Sequence, residues 1–190
     1  MDFTLETIRE HGDAIYSLLF TYTLWNNLIG TLIAGYAAHH GVLDWMTLIG
    51  VCWAGAFVGD TVRFWIGRRW GHSLVRQFPK IERGIGTVLR LVDRHHLWMV
   101  FVHRYPNGLR GLAGFAYGMA AISWPRFLAL NLVSAGIWSA SVIGAGYSFG
   151  HLSEKMLGDA ASGLGIILLA VFLAIAWLLS KKLQRVIERG

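Results

Sequence analysis

Two arginines, Arg104 and Arg110, lie in the apolar stretch Leu97 to Ile122, which Tyr105-Pro106-Asn107-Gly108 breaks in its middle. An arginine at bilayer depth costs from about 2.5 kcal/mol to well over 10, so such residues mark sites or pathways. Backbone freed by Pro and Gly is tolerated at that depth only where protein or a water-filled cavity surrounds it. The guanidinium is a planar, permanently charged fork that matches phosphate oxygens bidentately. Two of them beside a broken helix therefore point to a buried polar site that meets an anion, assisted by backbone N–H groups at a half-helix terminus. The plainer alternative is that both arginines snorkel to the membrane surface.

Three further groups belong to this chemistry. Asp60 follows a Gly-rich helix face and precedes Arg63 by three residues, the spacing of an on-helix ion pair. Asp60 is either a structural partner, for Arg110 as well as Arg63, or a protonatable group. Asn107 lies in the break itself, and Asn26-Asn27 mark a comparable turn in the first apolar segment. These asparagines are candidate substrate contacts as well as turn residues.

These residues are carried by a membrane scaffold. The 190 residues are 55% hydrophobic with nine Trp and only 15% charged, which indicates an all-α integral membrane protein of one domain. The net charge of +6 does not indicate nucleic acid, because of where it lies. Arg68, Arg69, Arg76, Lys80, Arg83, Arg90 and Arg94 fill one loop, and Lys181, Lys182, Arg185 and Arg189 follow the last apolar run. That is the positive-inside pattern of cytoplasmic segments, and it favours anionic lipid as a neighbour. Cys52 is the only cysteine, so it forms no intrachain disulfide and reads as a packed core thiol. His39-His40 and His95-His96 are adjacent pairs that suit shared ligation poorly, and neither a metal nor a cofactor is expected.

Five apolar segments can be read: Leu18 to Val42, Trp45 to Ile66, Leu97 to Ile122, Phe127 to Phe149 and Leu164 to Leu179. If all five crossed the bilayer, the two basic clusters would fall on opposite sides, against the positive-inside rule. The conflict disappears if Leu97 to Ile122 is a re-entrant hairpin turning at Pro106. The expected organisation is an amphipathic N-terminal helix (1–17), hairpin 1 (18–43), a transmembrane helix (44–66), a basic cytoplasmic segment (67–96), hairpin 2 (97–123), a transmembrane helix (124–149) and a C-terminal transmembrane helix (161–180) with its end in the cytoplasm.

An internal repeat runs through this pattern. Residues 32–71 align without a gap with 111–150 at an offset of 79. Ala34-Gly35-Tyr36-Ala37 faces Ala113-Gly114-Phe115-Ala116, and Trp45, Ala56, Gly67 and Gly71 face identical residues. The topology above gives the two halves opposite orientations. Inverted repeats with discontinuous helices meeting near the midplane are a transporter architecture.

The same residues carry a family resemblance. Gly55-Ala56-Phe57-Val58-Gly59-Asp60, with Trp65-Ile66-Gly67-Arg68 and Gly71, resembles the G-x-x-x-G-D…Y-x-I-G-R-x-x-G element of DedA proteins. Phe101 to Arg110 is similar to their F-x-x-R-(F/Y)-x-P-x-x-R hairpin, and Ala113-Gly114, Met119, Phe127, Asn131 and Trp138 continue the pattern. DedA proteins belong to the wider SNARE-associated, or VTT, group. The resemblance covers residues 20–150. It implies two facing re-entrant hairpins in the bacterial inner membrane and movement of an anionic lipid such as undecaprenyl phosphate or a phospholipid. It also makes Arg104 and Arg110 the functional pair of the second hairpin and Asp60 the acidic residue of the first motif. One departure stands out. The region Thr23 to Gly30 has neither the Pro nor the carboxylate that DedA proteins commonly carry near the first hairpin tip.

A carrier or scramblase for anionic lipid is therefore the expected function. A proton-coupled antiporter for small ions or drugs is the alternative, weakened by the absent first-hairpin carboxylate. A non-transporting assembly factor and a homo-oligomer also remain open. An enzyme is not expected, because no GxSxG, HExxH or paired-carboxylate motif accompanies the arginines.

Overall fold

The structure, a computed structural model, describes residues 12–25, 28–77, 110–120 and 122–157, together with Gly86, Leu89, Val100 and Arg104. Among the described residues the chain is helical, without strands. Five helices are continuous: α1 (Gly12–Leu24), α2 (Leu28–His39), α3 (Trp45–Gln77), α4 (Arg110–Met119) and α5 (Trp124–Leu157). The C-terminal span expected at 161–180 lies outside the described residues, as do residues 1–11 of the expected N-terminal helix.

Two helices have the length and composition to cross a membrane, over Trp45–Gly71 and Trp124–Lys155. The other three are short. With 13, 12 and 10 residues, α1, α2 and α4 extend about 15–20 Å at a rise of 1.5 Å per residue. Over their described residues none of them spans roughly 30 Å of hydrocarbon by itself. The first apolar segment thus holds one helix ending at Leu24 and a second beginning at Leu28.

Three boundaries differ from the sequence expectation. Helix α1 runs from Gly12 to Leu24 without a break at Ser17. The change in polarity between residues 17 and 18 brings no Gly or Pro with it, so nothing stops the helix there. Helix α3 continues to Gln77 and α5 to Leu157, beyond the expected ends at 66 and 149. Counting apolar residues locates where a helix leaves the hydrocarbon, whereas the helix itself continues until its backbone is broken. At its start α3 is capped: the Thr47 N–H donates to the Asp44 carboxylate at 2.7 Å. That bond holds the exposed carboxyl below its usual range.

The chain divides into two compact units. The first comprises residues 1–19, 27–52 and 139–190, the second 20–26 and 53–138. In the first, Ala34, Ala38, Leu43, Leu48, Cys52 and Ile143 form the core. Cys52 is a buried free thiol there. Gly41, at φ 73°, closes α2. Its N–H donates to the Ala38 carbonyl and that of Val42 to the Ala37 carbonyl, the pairing that satisfies the last carbonyls of a helix. In the second unit Phe64 stacks on Phe127 with ring centroids 4.0 Å apart and meets Trp124 edge-on at 4.9 Å. Val100, Ala113, Ala116, Tyr117 and Ala120 complete that core.

Each unit contains the same kind of close contact. In the second, Gly67 of α3 lies against the backbone of Phe115 of α4. In the first, Gly146 of α5 lies against the Leu32 carbonyl and the Tyr36 nitrogen of α2. Adding 79 converts Gly67 into Gly146 and Tyr36 into Phe115. The residues that the offset equates make equivalent helix contacts, each possible because glycine has no Cβ.

Candidate anion site

The second unit places three ionisable residues in one buried network. Asp60 is reached through the glycines that precede it on α3. Gly55 lies against Thr23 and the Phe20 carbonyl, and Gly59 against the Leu24 carbonyl, so the end of α1 packs directly beside Asp60. A side chain at Gly59 would collide with that backbone. Gly59→Ala is therefore expected to destabilise the protein by about 1–3 kcal/mol. Gly144→Ala, at a helix position with open space around it, is expected to be neutral or mildly stabilising. Thermal unfolding in detergent compares the two, and equal melting temperatures would contradict the packing described.

Asp60 is 1% exposed and carries two guanidiniums. Arg63 Nη1 donates to its Oδ1 at 2.9 Å, and Arg104 Nη2 lies 2.6 Å from its Oδ2. Arg63 also donates to the Leu24 carbonyl at the end of α1. A cation is favoured there because the last helix carbonyls lack partners and carry the negative end of the dipole. A continuous polar chain thus runs from the Leu24 carbonyl through Arg63 and Asp60 to Arg104. Among the described residues of this unit Asp60 is the only acidic one.

Arg104 is 0% exposed, so it does not snorkel. Its Nε donates to Ser134 Oγ at 2.9 Å, and Nη2 donates to Asn131 Oδ1. Both acceptors are on α5, three residues apart and on one face. Asn131 in turn donates through Nδ2 to the Phe57 carbonyl at 3.0 Å and to Thr61 Oγ1 at 3.2 Å. The Ser134 hydroxyl donates to the Val100 carbonyl at 2.7 Å. Burying this charge is tolerated only because a carboxylate, an amide and a hydroxyl satisfy it together.

The structure therefore brings together Arg104, Asp60 and Arg63. The described partners of Asp60 are Arg104 and Arg63, and the pairing of Asp60 with Arg110 offered by the sequence lies outside the described residues. Spacing along the chain cannot tell which arginine of a hairpin reaches a carboxylate on another helix. Arg110 opens α4, but its side chain lies outside the described residues, and so do Asn26, Asn27 and Asn107. Asn131, Ser134 and Thr61 were missed as site residues. The usable signal was an Asn and a Ser at i, i+3 in an otherwise apolar span.

His39, His40 and His151 belong to the first unit. His39 Nε2 is 2.9 Å from Glu154 Oε2, and its ring neighbours those of His40, Tyr147 and His151. Among the described residues no group of three or more His, Cys, Asp or Glu is arranged to hold a metal ion.

Comparison with known proteins gives the family. Residues 19–148 match the VTT domain family, and the chain belongs to it, as a DedA-type membrane protein. The inner membrane protein YohD of Escherichia coli is 29% identical over 150 residues, 79% of this chain and 77% of that protein. Protein DedA of the same organism is 26% identical over 162 residues, 77% of this chain and 74% of its own. An uncharacterized membrane protein of Mycobacterium tuberculosis is 36% identical over 110 residues, covering 54% of this chain and half of its own. No solved structure matches the chain.

Proposed function

We propose that the protein moves an anionic lipid between the leaflets of a bacterial inner membrane, with its phosphate held in transit by Arg104. The observation that supports this most is the environment of Arg104. It is fully buried, and its partners are a carboxylate, an amide oxygen and a hydroxyl. The Asp60 carboxylate stands where the oxygens of a lipid phosphate would act as alternative partners. Exchange of one anion for the other lets the guanidinium remain charged and paired throughout. The lipid is a polyprenyl phosphate or a glycerophospholipid, and Arg110, Asn107, Asn26 and Asn27 are the further residues proposed to contact it. The process needs no covalent chemistry and no cofactor.

In this reading residues 18–43 and 97–123 are re-entrant hairpins of an inverted repeat, and 67–96 and the C-terminus are cytoplasmic. The short length of the apolar helix α2 and the offset-related glycine contacts support it. Single cysteines placed between 67 and 96 are expected to react with an impermeant maleimide only in inverted vesicles. Labelling in intact spheroplasts would rule out the hairpin topology. Lipid movement itself is tested in proteoliposomes carrying fluorescent phosphatidylglycerol or polyprenyl phosphate, with and without a proton gradient. If neither probe moves in either condition, the protein is an ion or drug exchanger or an assembly factor instead.

A further inference from the structure

We propose that Asn131 and Ser134 are the positioning residues of Arg104, a two-point socket on α5 that presets which edge of the guanidinium meets the anion. This rests on the reading that Arg104 carries the phosphate. A guanidinium has a side edge, formed by Nε and one proton of an Nη, and an end edge shared by the two Nη atoms. Ser134 takes Nε, and Asn131 takes Nη2. The side edge is thereby docked on α5. Asp60 contacts the same Nη2 from α3, so the end edge points toward the carboxylate that the anion would replace.

The socket is itself held from behind. Ser134 donates to the Val100 carbonyl while accepting from Arg104, so one hydroxyl ties both residues to α5. Asn131 spends its amide protons on Phe57 and Thr61, which leaves its oxygen for the arginine and fixes the amide orientation. Both residues are at most 2% exposed. When Asp60 yields to a phosphate, the socket keeps the guanidinium plane in place, so the incoming anion meets a donor pair that is already oriented. Preorganisation of this kind acts on affinity.

Two measurements test this on the full chain. The first is the Nε–H signal of Arg104 in ¹⁵N-arginine spectra of nanodisc samples, assigned by its loss in Arg104→Lys. It is expected to exchange slowly with water in the wild type and in Ser134→Thr, and rapidly in Ser134→Ala. The second is the initial transbilayer rate of fluorescent phosphatidylglycerol across a range of lipid fractions. Asn131→Ala and Ser134→Ala are each expected to raise the half-saturating fraction about tenfold, the scale of one hydrogen bond to a charged group, with the maximal rate nearly kept. Asn131→Gln and Ser134→Thr are expected to recover part of that affinity. Unchanged Nε–H exchange in Ser134→Ala would overturn the socket, as would unchanged half-saturation in both alanine variants. If Arg104→Lys transports like the wild type, the functional reading fails, whereas the spectrum still decides the positioning role.

Discussion

Asp60→Ala is expected to destabilise the protein by about 3–5 kcal/mol, the cost of leaving a buried charge without its counter-charge. Asp60 is 1% exposed and neutralises two guanidiniums, of which Arg104 has no exposure at all. Without the carboxylate, Arg104 keeps neutral acceptors in Asn131 and Ser134. Arg63 would still hold the Leu24 carbonyl but would lose its anchor on α3, and α1 would loosen where Gly55 and Gly59 seat it. The loss is expected to be non-additive. Asp60→Ala combined with Arg104→Met removes both charges and is expected to recover much of the stability, as replaced buried pairs do. Thermal unfolding of the single and double variants in detergent measures this. A single variant within about 0.5 kcal/mol of the wild type, the ordinary range of a surface change, would mean that the pair does not hold the fold.

Arg104→Lys separates the charge from the fork. A lysine at this position can still pair with Asp60, so the fold is expected to survive with a modest loss. It cannot present a phosphate in transit with the two parallel donors that a planar guanidinium offers. Each hydrogen bond to a charged group contributes about 1.5–3 kcal/mol, and 1.36 kcal/mol corresponds to about tenfold in rate. The lysine variant is therefore expected to move lipid at least about tenfold more slowly while melting close to the wild type. A variant lost through misfolding would fail both measurements, and the pair of readouts tells these cases apart.

How much of this was legible in the sequence follows from how local each feature is. Arg104 declared itself because a charge in an apolar run is costly wherever the run ends up. The Asp60–Arg63 pair followed from a three-residue spacing on one helix. The offset of 79 found glycines that make equivalent contacts in the two units, since close helix approach depends on a missing Cβ that the sequence shows directly. The Arg104–Asp60 pair is different. It depends on how deep two separate helices place their side chains, and no local pattern encodes that. For the same reason Asn131 and Ser134 read as ordinary polar interruptions until α5 was seen beside Arg104. Helices α3 and α5 reach at least Gln77 and Leu157, because hydropathy records the edge of the hydrocarbon rather than the end of the backbone ladder.

The central claim is that Arg104 carries a lipid phosphate across the bilayer. Its most direct test is the transbilayer movement of fluorescent phosphatidylglycerol in proteoliposomes holding equal amounts of folded wild type and Arg104→Lys, measured by external quenching. The expected result is clear movement with the wild type and a loss of at least about tenfold with the lysine variant. Equal rates in the two, or a wild type no faster than empty liposomes, would contradict it.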